Sequence, residues 1–223
     1  MIRLLLEKFW QWLQMSEEEY NEIGLDQNKC EFEDDFPEFT EMLLCAKKVV
    51  NDNILDTASL DCLITVMALD NESGSIVEYI AEHSSNEQIE KIIRIGTSHL
   101  QNNARWQLTE LLDKRKPSDY MMYLQILAQD FHPYVRRRAR NQINYIKLGE
   151  HWDIYQKRKL YRAKFSKRSS KNCTLQKSLN CELCFNSLTG NEFDVIYTSA
   201  ENKYCICENC FLDFQDEFQL TAK

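Results

Sequence analysis

Helix breakers are scarce in this sequence: 223 residues contain five Gly and three Pro. With so few interruptions, a mostly helical body is expected. Long apolar runs are missing as well. Met1-Ile2-Arg3-Leu4-Leu5-Leu6-Glu7-Lys8 is broken by charge after three leucines and has no small-residue cleavage site, so it does not read as a signal peptide. No stretch approaches the roughly 20 apolar residues that cross a bilayer. The nine cysteines lack the regularity of a secreted disulfide framework: Cys30, Cys45 and Cys62 are scattered, and six more crowd between Cys173 and Cys210. An odd count at these spacings points to a reducing, cytoplasmic setting. Catalytic signatures are lacking too. His83, His99, His132 and His151 are dispersed with no H-E-x-x-H spacing, and there is no Gly-rich phosphate loop or Gly-x-Ser-x-Gly elbow. The expectation is a protein that is not an enzyme and does not enter a membrane.

What is present is an uneven distribution of charge. The net charge of -8 divides into three blocks. Residues 1–135 carry 11 Lys/Arg against 25 Asp/Glu, residues 136–171 carry 13 against 2, and residues 172–223 carry 3 against 8. A uniform solubilising surface is not distributed this way. Either the basic block binds a polyanion or it docks on the acidic remainder of its own chain.

The apolar pattern divides the chain at different points. Residues 1–53 read as an N-terminal helical cap, with Leu5, Phe9, Trp10, Trp12 and Leu13 at helical spacing. Ser16-Glu17-Glu18-Glu19 reads as a capping box, and Pro37 as the first residue of a helix carrying Phe39, Met42, Leu43, Ala46 and Val49-Val50. Residues 54–170 read as helical repeats ending in a basic helix, with the pattern recurring from about Ile54 to Leu148. Val135, Ala139 and Ile143 share one helix face. Ala104, Leu108 and Leu112 do the same 31 residues earlier, with Arg105 matching Arg136, and Ile76 and Ile80 form a weaker copy. Each copy follows an apolar helix, at Leu60–Leu69, Ile89–Leu100 and Tyr120–Ala128. In Asp130, Val135, Arg136 and Ala139 the segment resembles the HEAT-repeat family, whose units are helix pairs with an Asp in the turn and a Val-Arg opening the second helix. His99 stands where that pattern has Asp, and the copy at Ile76 lacks the Arg. The resemblance implies a short HEAT-like α-solenoid of paired antiparallel helices, each burying its apolar face on its neighbours. The basic stretch His151–Lys171 reads as one further helix fading into a Lys/Ser linker, with a boundary near Ser169-Ser170.

Residues 171–223 carry the sharpest motif. Cys181-Glu182-Leu183-Cys184 and Cys207-Glu208-Asn209-Cys210 are two Cys-x-x-Cys pairs 22 residues apart. Each allows a tight knuckle with both sulfurs on one ion, and the two together close a Cys₄ shell with no open position. That closure points to structural zinc rather than catalysis. Cys205 competes with Cys207 as ligand, and the two-residue knuckle favours Cys207. Between the knuckles, Phe193–Tyr197 and Lys203–Ile206 read as a hairpin. After them, Phe211, Phe214 and Phe218 form a helical stripe. The order knuckle, hairpin, helix resembles a treble-clef finger and is similar to the N-terminal zinc domain of Clp-type unfoldases, implying a small α+β module on a mainly α body.

Two functions compete. One is a non-catalytic scaffold or adaptor whose acidic surface, with Asp52, Asp56, Asp61, Asp70, Glu72, Glu78 and Glu82, engages a basic protein. Phe9-Trp10-x-Trp12 and Ala104-Arg105-Trp106-Gln107 resemble acidic HEAT-like bacterial immunity proteins, which implies an immunity-type inhibitor. The other is nucleic-acid binding through Arg136, Arg137, Arg138, Arg140, Lys157, Arg158, Lys159 and Arg162, continuing to Lys164, Lys167 and Arg168, with Trp152, Tyr155 and Tyr161 for stacking. The scaffold is favoured, because the basic block is outweighed by acid elsewhere in the chain.

Overall fold

The computed structural model describes residues 1–24, 35–149, 162–169, 181, 183, 188, 195–199, 204–215 and 219–222. It is mainly helical with a small four-stranded sheet. The chain forms two compact units, Met1–Leu127 and Ala128–Lys223. Among the described residues no helix is long and apolar enough to cross a membrane.

The first unit contains α1 (Ile2–Leu13), α2 (Glu17–Gly24), α3 (Phe39–Asn51), α4 (Thr57–Leu69), α5 (Ser75–His83), α6 (Asn86–Gly96), α7 (Asn102–Arg115) and α8 (Tyr120–Leu127). The Ser16 capping box forms as read. Ser16 N–H donates to Glu19 Oε2 at 2.8 Å, and Glu19 N–H donates to Ser16 Oγ at 3.1 Å. Phe9, with no exposure, sits edge-on to Trp10 and Phe36 at 4.8 and 5.4 Å between ring centroids. α4 is the hub, packing on α1, α3, α6 and α7. Its residues Cys62 to Leu69 are all buried, as a helix apolar on every side must be. α3, α5 and α7 pack in series.

Long polar side chains stitch these helices together. Gln107 and Gln88 are both fully buried. Gln107 Nε2 donates to Met67 O at 2.7 Å, and Gln88 Nε2 donates to Val49 O at 3.2 Å and Ile54 O at 3.0 Å. Gln107 satisfies a carbonyl in the last turn of α4 that has no partner within the helix, and Gln88 ties the last turn of α3 to the loop that leads to α4.

The second unit contains α9 (Pro133–Leu148), β1 (Lys164–Ser169), β2 (Val195–Ser199), β3 (Tyr204–Cys207), α10 (Glu208–Phe214) and β4 (Thr221–Ala222). The sheet order is β3-β2-β1-β4, antiparallel except for the β1/β4 pair. The hairpin read between the knuckles is β2 and β3, paired from Ile196 with Cys207 to Ser199 with Tyr204. Lys164–Ser169, expected as the end of a helix fading into a linker, is instead a strand. Ala163 and Phe165 are buried on either side of exposed Lys164, which is the period of a strand and not of a helix. Phe165 stands edge-on to Phe211 at 5.7 Å, and Tyr197 stacks on Phe211 at 3.9 Å. The boundary near Ser169-Ser170 therefore falls at the end of a strand already in this sheet. Residues 151–161, with Trp152, Tyr155 and Tyr161, lie outside the described residues, as do Cys173, Phe193, Lys203 and Phe218.

Candidate metal centre

The second Cys-x-x-Cys pair straddles the junction between strand and helix. Cys207 ends β3 and caps α10, its Sγ accepting from Cys210 N–H at 3.4 Å. Cys207 N–H in turn donates to Cys181 Sγ at 3.3 Å. Backbone N–H groups therefore aim at two of the sulfurs. The sulfurs of Cys181, Cys207 and Cys210 all lie within 4.8 Å of one another, and all three residues are buried. Tetrahedral thiolates on zinc at about 2.3 Å stand about 3.8 Å apart, so a small inward adjustment fits the three to one ion. This buried three-cysteine group could hold a metal ion. Cys184 lies outside the described residues.

Cys205 is buried but outside the group. It pairs with Thr198, whereas Cys207 pairs with Ile196. Two residues along one strand separate them by about 7 Å, too far for both sulfurs to meet one ion from regular strand geometry.

Around the cysteines lies a set of side chains that includes two of the arginines singled out by sequence. Arg136 Nη2 meets Asp213 Oδ1 at 3.0 Å, and Arg140 Nη1 meets Asp213 Oδ2 at 2.9 Å. The Asp213 side chain is 1% exposed. Arg140 Nη1 also donates to Cys210 Sγ at 3.4 Å, and its Nε donates to Ala128 O at 3.1 Å. One turn further along α9, the fully buried Asn144 donates through Nδ2 to Leu183 O, inside the first knuckle. α9 therefore touches both knuckles from one face.

The remaining cationic candidates are dispersed. Arg137 and Arg138 are half-buried with their guanidinium carbons 4.9 and 5.8 Å from the Tyr134 ring centre. Arg162 is exposed and donates through Nε to Gln219 Oε1 at 3.1 Å. Lys164 is exposed on β1, and Lys167 pairs with Glu208 Oε1 at 2.9 Å, which raises its pKa. Arg168 belongs to β1. Lys157, Arg158 and Lys159 lie outside the described residues.

Of the acidic candidates, Asp52, Asp56, Asp61, Glu72, Glu78 and Glu82 are exposed. Asp70 is not a surface charge. It is 4% exposed and accepts from the Ser73 hydroxyl, Ser75 Oγ at 3.0 Å and Ile76 N–H at 2.7 Å, closing the turn before α5. Asp213 and Asn144 were not singled out by sequence. The available signal was the i, i+4, i+8 stripe of Arg136, Arg140 and Asn144, one residue on from the apolar stripe.

No protein-family model, no curated protein and no solved structure matches the chain.

Proposed function

We propose that the chain is a non-catalytic protein-binding scaffold of the immunity-inhibitor type, acidic in its first unit and closed in its second by a structural zinc. The metal is held by Cys181, Cys184, Cys207 and Cys210, with the hairpin and α10 forming a treble-clef-like module. Three buried sulfurs within 4.8 Å support this set, and Cys184 supplies the fourth ligand by its spacing from Cys181. A HEAT-like arrangement of helix pairs is supported by the serial packing of α3, α5 and α7. It is also supported by a shared turn: Arg105 and Arg136 each donate through Nη1 to the carbonyls six and five residues back.

The observation that carries the partner is the unequal use of charge. Arg136 and Arg140 are spent on the buried Asp213, while Asp52, Asp61, Glu72 and Glu82 remain exposed in the first unit. A basic protein is the complementary ligand. The test is affinity purification with the tagged chain beside a variant carrying Asp52→Lys, Glu72→Lys and Glu82→Lys. One stoichiometric basic protein, lost with the variant and with salt, is expected. Recovery of no partner, or of one indifferent to the reversal, would overturn the reading.

Nucleic acid is the second reading, favoured by Arg137 and Arg138 beside the Tyr134 ring. It requires binding at low salt that falls steeply as salt rises and is lost in an Arg137→Glu/Arg138→Glu variant.

A further inference from the structure

The stripe of α9 that faces the cysteines carries an inference that rests on the zinc reading above. We propose that α9 is the outer shell of the metal centre, and that Arg140 is the positioning residue that sets how tightly the thiolates hold the ion.

Four thiolates around a divalent ion leave a net charge of about −2 in a site whose described sulfurs are buried, and buried charge without a counter-charge is costly. Arg136, Arg140 and Asp213 together supply about one net positive charge beside it, since one carboxylate is shared by two guanidiniums. Arg140 Nη1 reaches both Asp213 Oδ2 at 2.9 Å and Cys210 Sγ at 3.4 Å. Its side chain is 5% exposed, so water scarcely screens it.

The geometry is set by helix periodicity at both ends. Asp213 follows Cys210 by three residues on α10, so the carboxylate and the sulfur lie on one face. Arg136, Arg140 and Asn144 rise along α9 at four-residue steps. The upper end of the stripe holds the Leu183 carbonyl of the first knuckle and the lower end holds Asp213, with the sulfur of the second knuckle between.

Arg140 is held at three points, the Cys210 sulfur, Asp213 Oδ2 and the Ala128 carbonyl, so its guanidinium is fixed beside the sulfur and ties the position of Cys210 to α9.

The test uses the full chain, reduced, with zinc affinity measured by competition against a colorimetric chelator and with cobalt(II) as the spectroscopic probe. Arg140→Gln is expected to weaken zinc binding about 10- to 100-fold, the usual effect of losing an outer-shell partner, and to shift the sulfur-to-cobalt charge-transfer band. Arg140→Lys should fall between, and Arg136→Gln, which removes charge from the shell without a contact to sulfur, should weaken binding less than Arg140→Gln and shift the band less. Wild-type affinity and an unshifted band in Arg140→Gln would overturn the proposal. If Arg140→Gln does not fold, hydrogen exchange on the wild type decides. Chelation should speed exchange across residues 136–147, and unchanged exchange there refutes the coupling. A wild-type chain that binds neither zinc nor cobalt would fail at the earlier step, removing the metal reading and this one with it.

Discussion

His99 does in one turn what an aspartate does in another. Asp130 Oδ1 accepts from the N–H of His132, two residues on, at 2.8 Å, and His99 Nδ1 accepts from the N–H of Gln101 at 3.2 Å. With Nδ1 as acceptor, the neutral ring carries its proton on Nε2, which faces Thr65 Oγ1 at 3.2 Å and Asp61 Oδ1 at 3.8 Å. Burial holds the His99 pKa below its ordinary 6.5; Asp61 opposes that shift and Arg105 adds to it. The unfolded chain therefore takes up the proton first, so the stability from neutral His99 is full above about 6.5 and drains as pH falls toward the depressed folded value. His99→Asn can accept the same bond without titrating. Its stability should change less than wild type between about pH 7.5 and about pH 5.5 in urea denaturation, and parallel curves would acquit His99. Glu17, which accepts from Gln101 Nε2 at 2.9 Å, is shifted the other way, its pKa raised chiefly by burial. It offsets part of the loss as pH approaches the carboxylate range. Arg105, 2% exposed, clamps the same turn through Nη1 to His99 O at 2.6 Å and Leu100 O at 2.7 Å. Arg105→Met keeps the bulk but strands both carbonyls, and should cost about 2–4 kcal/mol in chemical denaturation. A loss below about 0.5 kcal/mol would mean that water replaces the clamp.

At the level of elements, what was legible in the sequence is what recurs locally. The apolar faces of α5, α7 and α9 stood at helical spacing, and Ile76, Ile80, Ala104, Leu108, Leu112, Val135, Ala139 and Ile143 are all buried. The match of Arg105 to Arg136 was legible too, and its reason is the shared clamp. The direction of the basic stripe was not. Arg136 and Arg140 read only as part of a basic block bound either to a polyanion or to acid elsewhere in the chain, because Asp213, which holds both inward, lies 77 and 73 residues away, and charge counts carry no pairing. β1 was hidden by its Lys and Ser content, with only Phe165 to mark the buried side. α6 and α7 meet closely at a residue that composition treats as a helix breaker. A Cβ on Gly96 would lie 2.7 Å from Leu108 Cδ1, and Leu108 is fully buried. Ala favours the helix by about 1 kcal/mol over Gly, yet forcing Leu108 aside in a filled core costs about 1–3 kcal/mol. Gly96→Ala should therefore be neutral to destabilising, and a clearly raised melting temperature would show that α6 and α7 can part without cost.

For the whole chain, the two units should differ in what keeps them folded. Met1–Leu127 has an extended core built on α4, including Leu60, Leu63, Ile64, Met67, Ile76, Ile80 and Ile89. The second unit gathers a smaller set on its sheet and α10, among them Phe165, Ile196, Tyr197, Ile206, Phe211 and Phe214, with Cys181, Cys207 and Cys210 in the same cluster. Where thiols form part of the core, metal binding is folding free energy, on the order of 10 kcal/mol for a structural zinc. Chelation should then act unequally. Eight of the ten helices among the described residues lie in the first unit, as do Trp10, Trp12 and Trp106. After a chelator with reductant, far-UV circular dichroism and tryptophan fluorescence should stay largely native, while amide signals of β1 to β3 collapse. Cys207→Ser should reproduce this without chelator, and Cys205→Ser should not, because the Cys205 sulfur is outside the three-cysteine group. A single cooperative loss of both signals on chelation would mean that the first unit has no independent stability and that its core does not suffice alone.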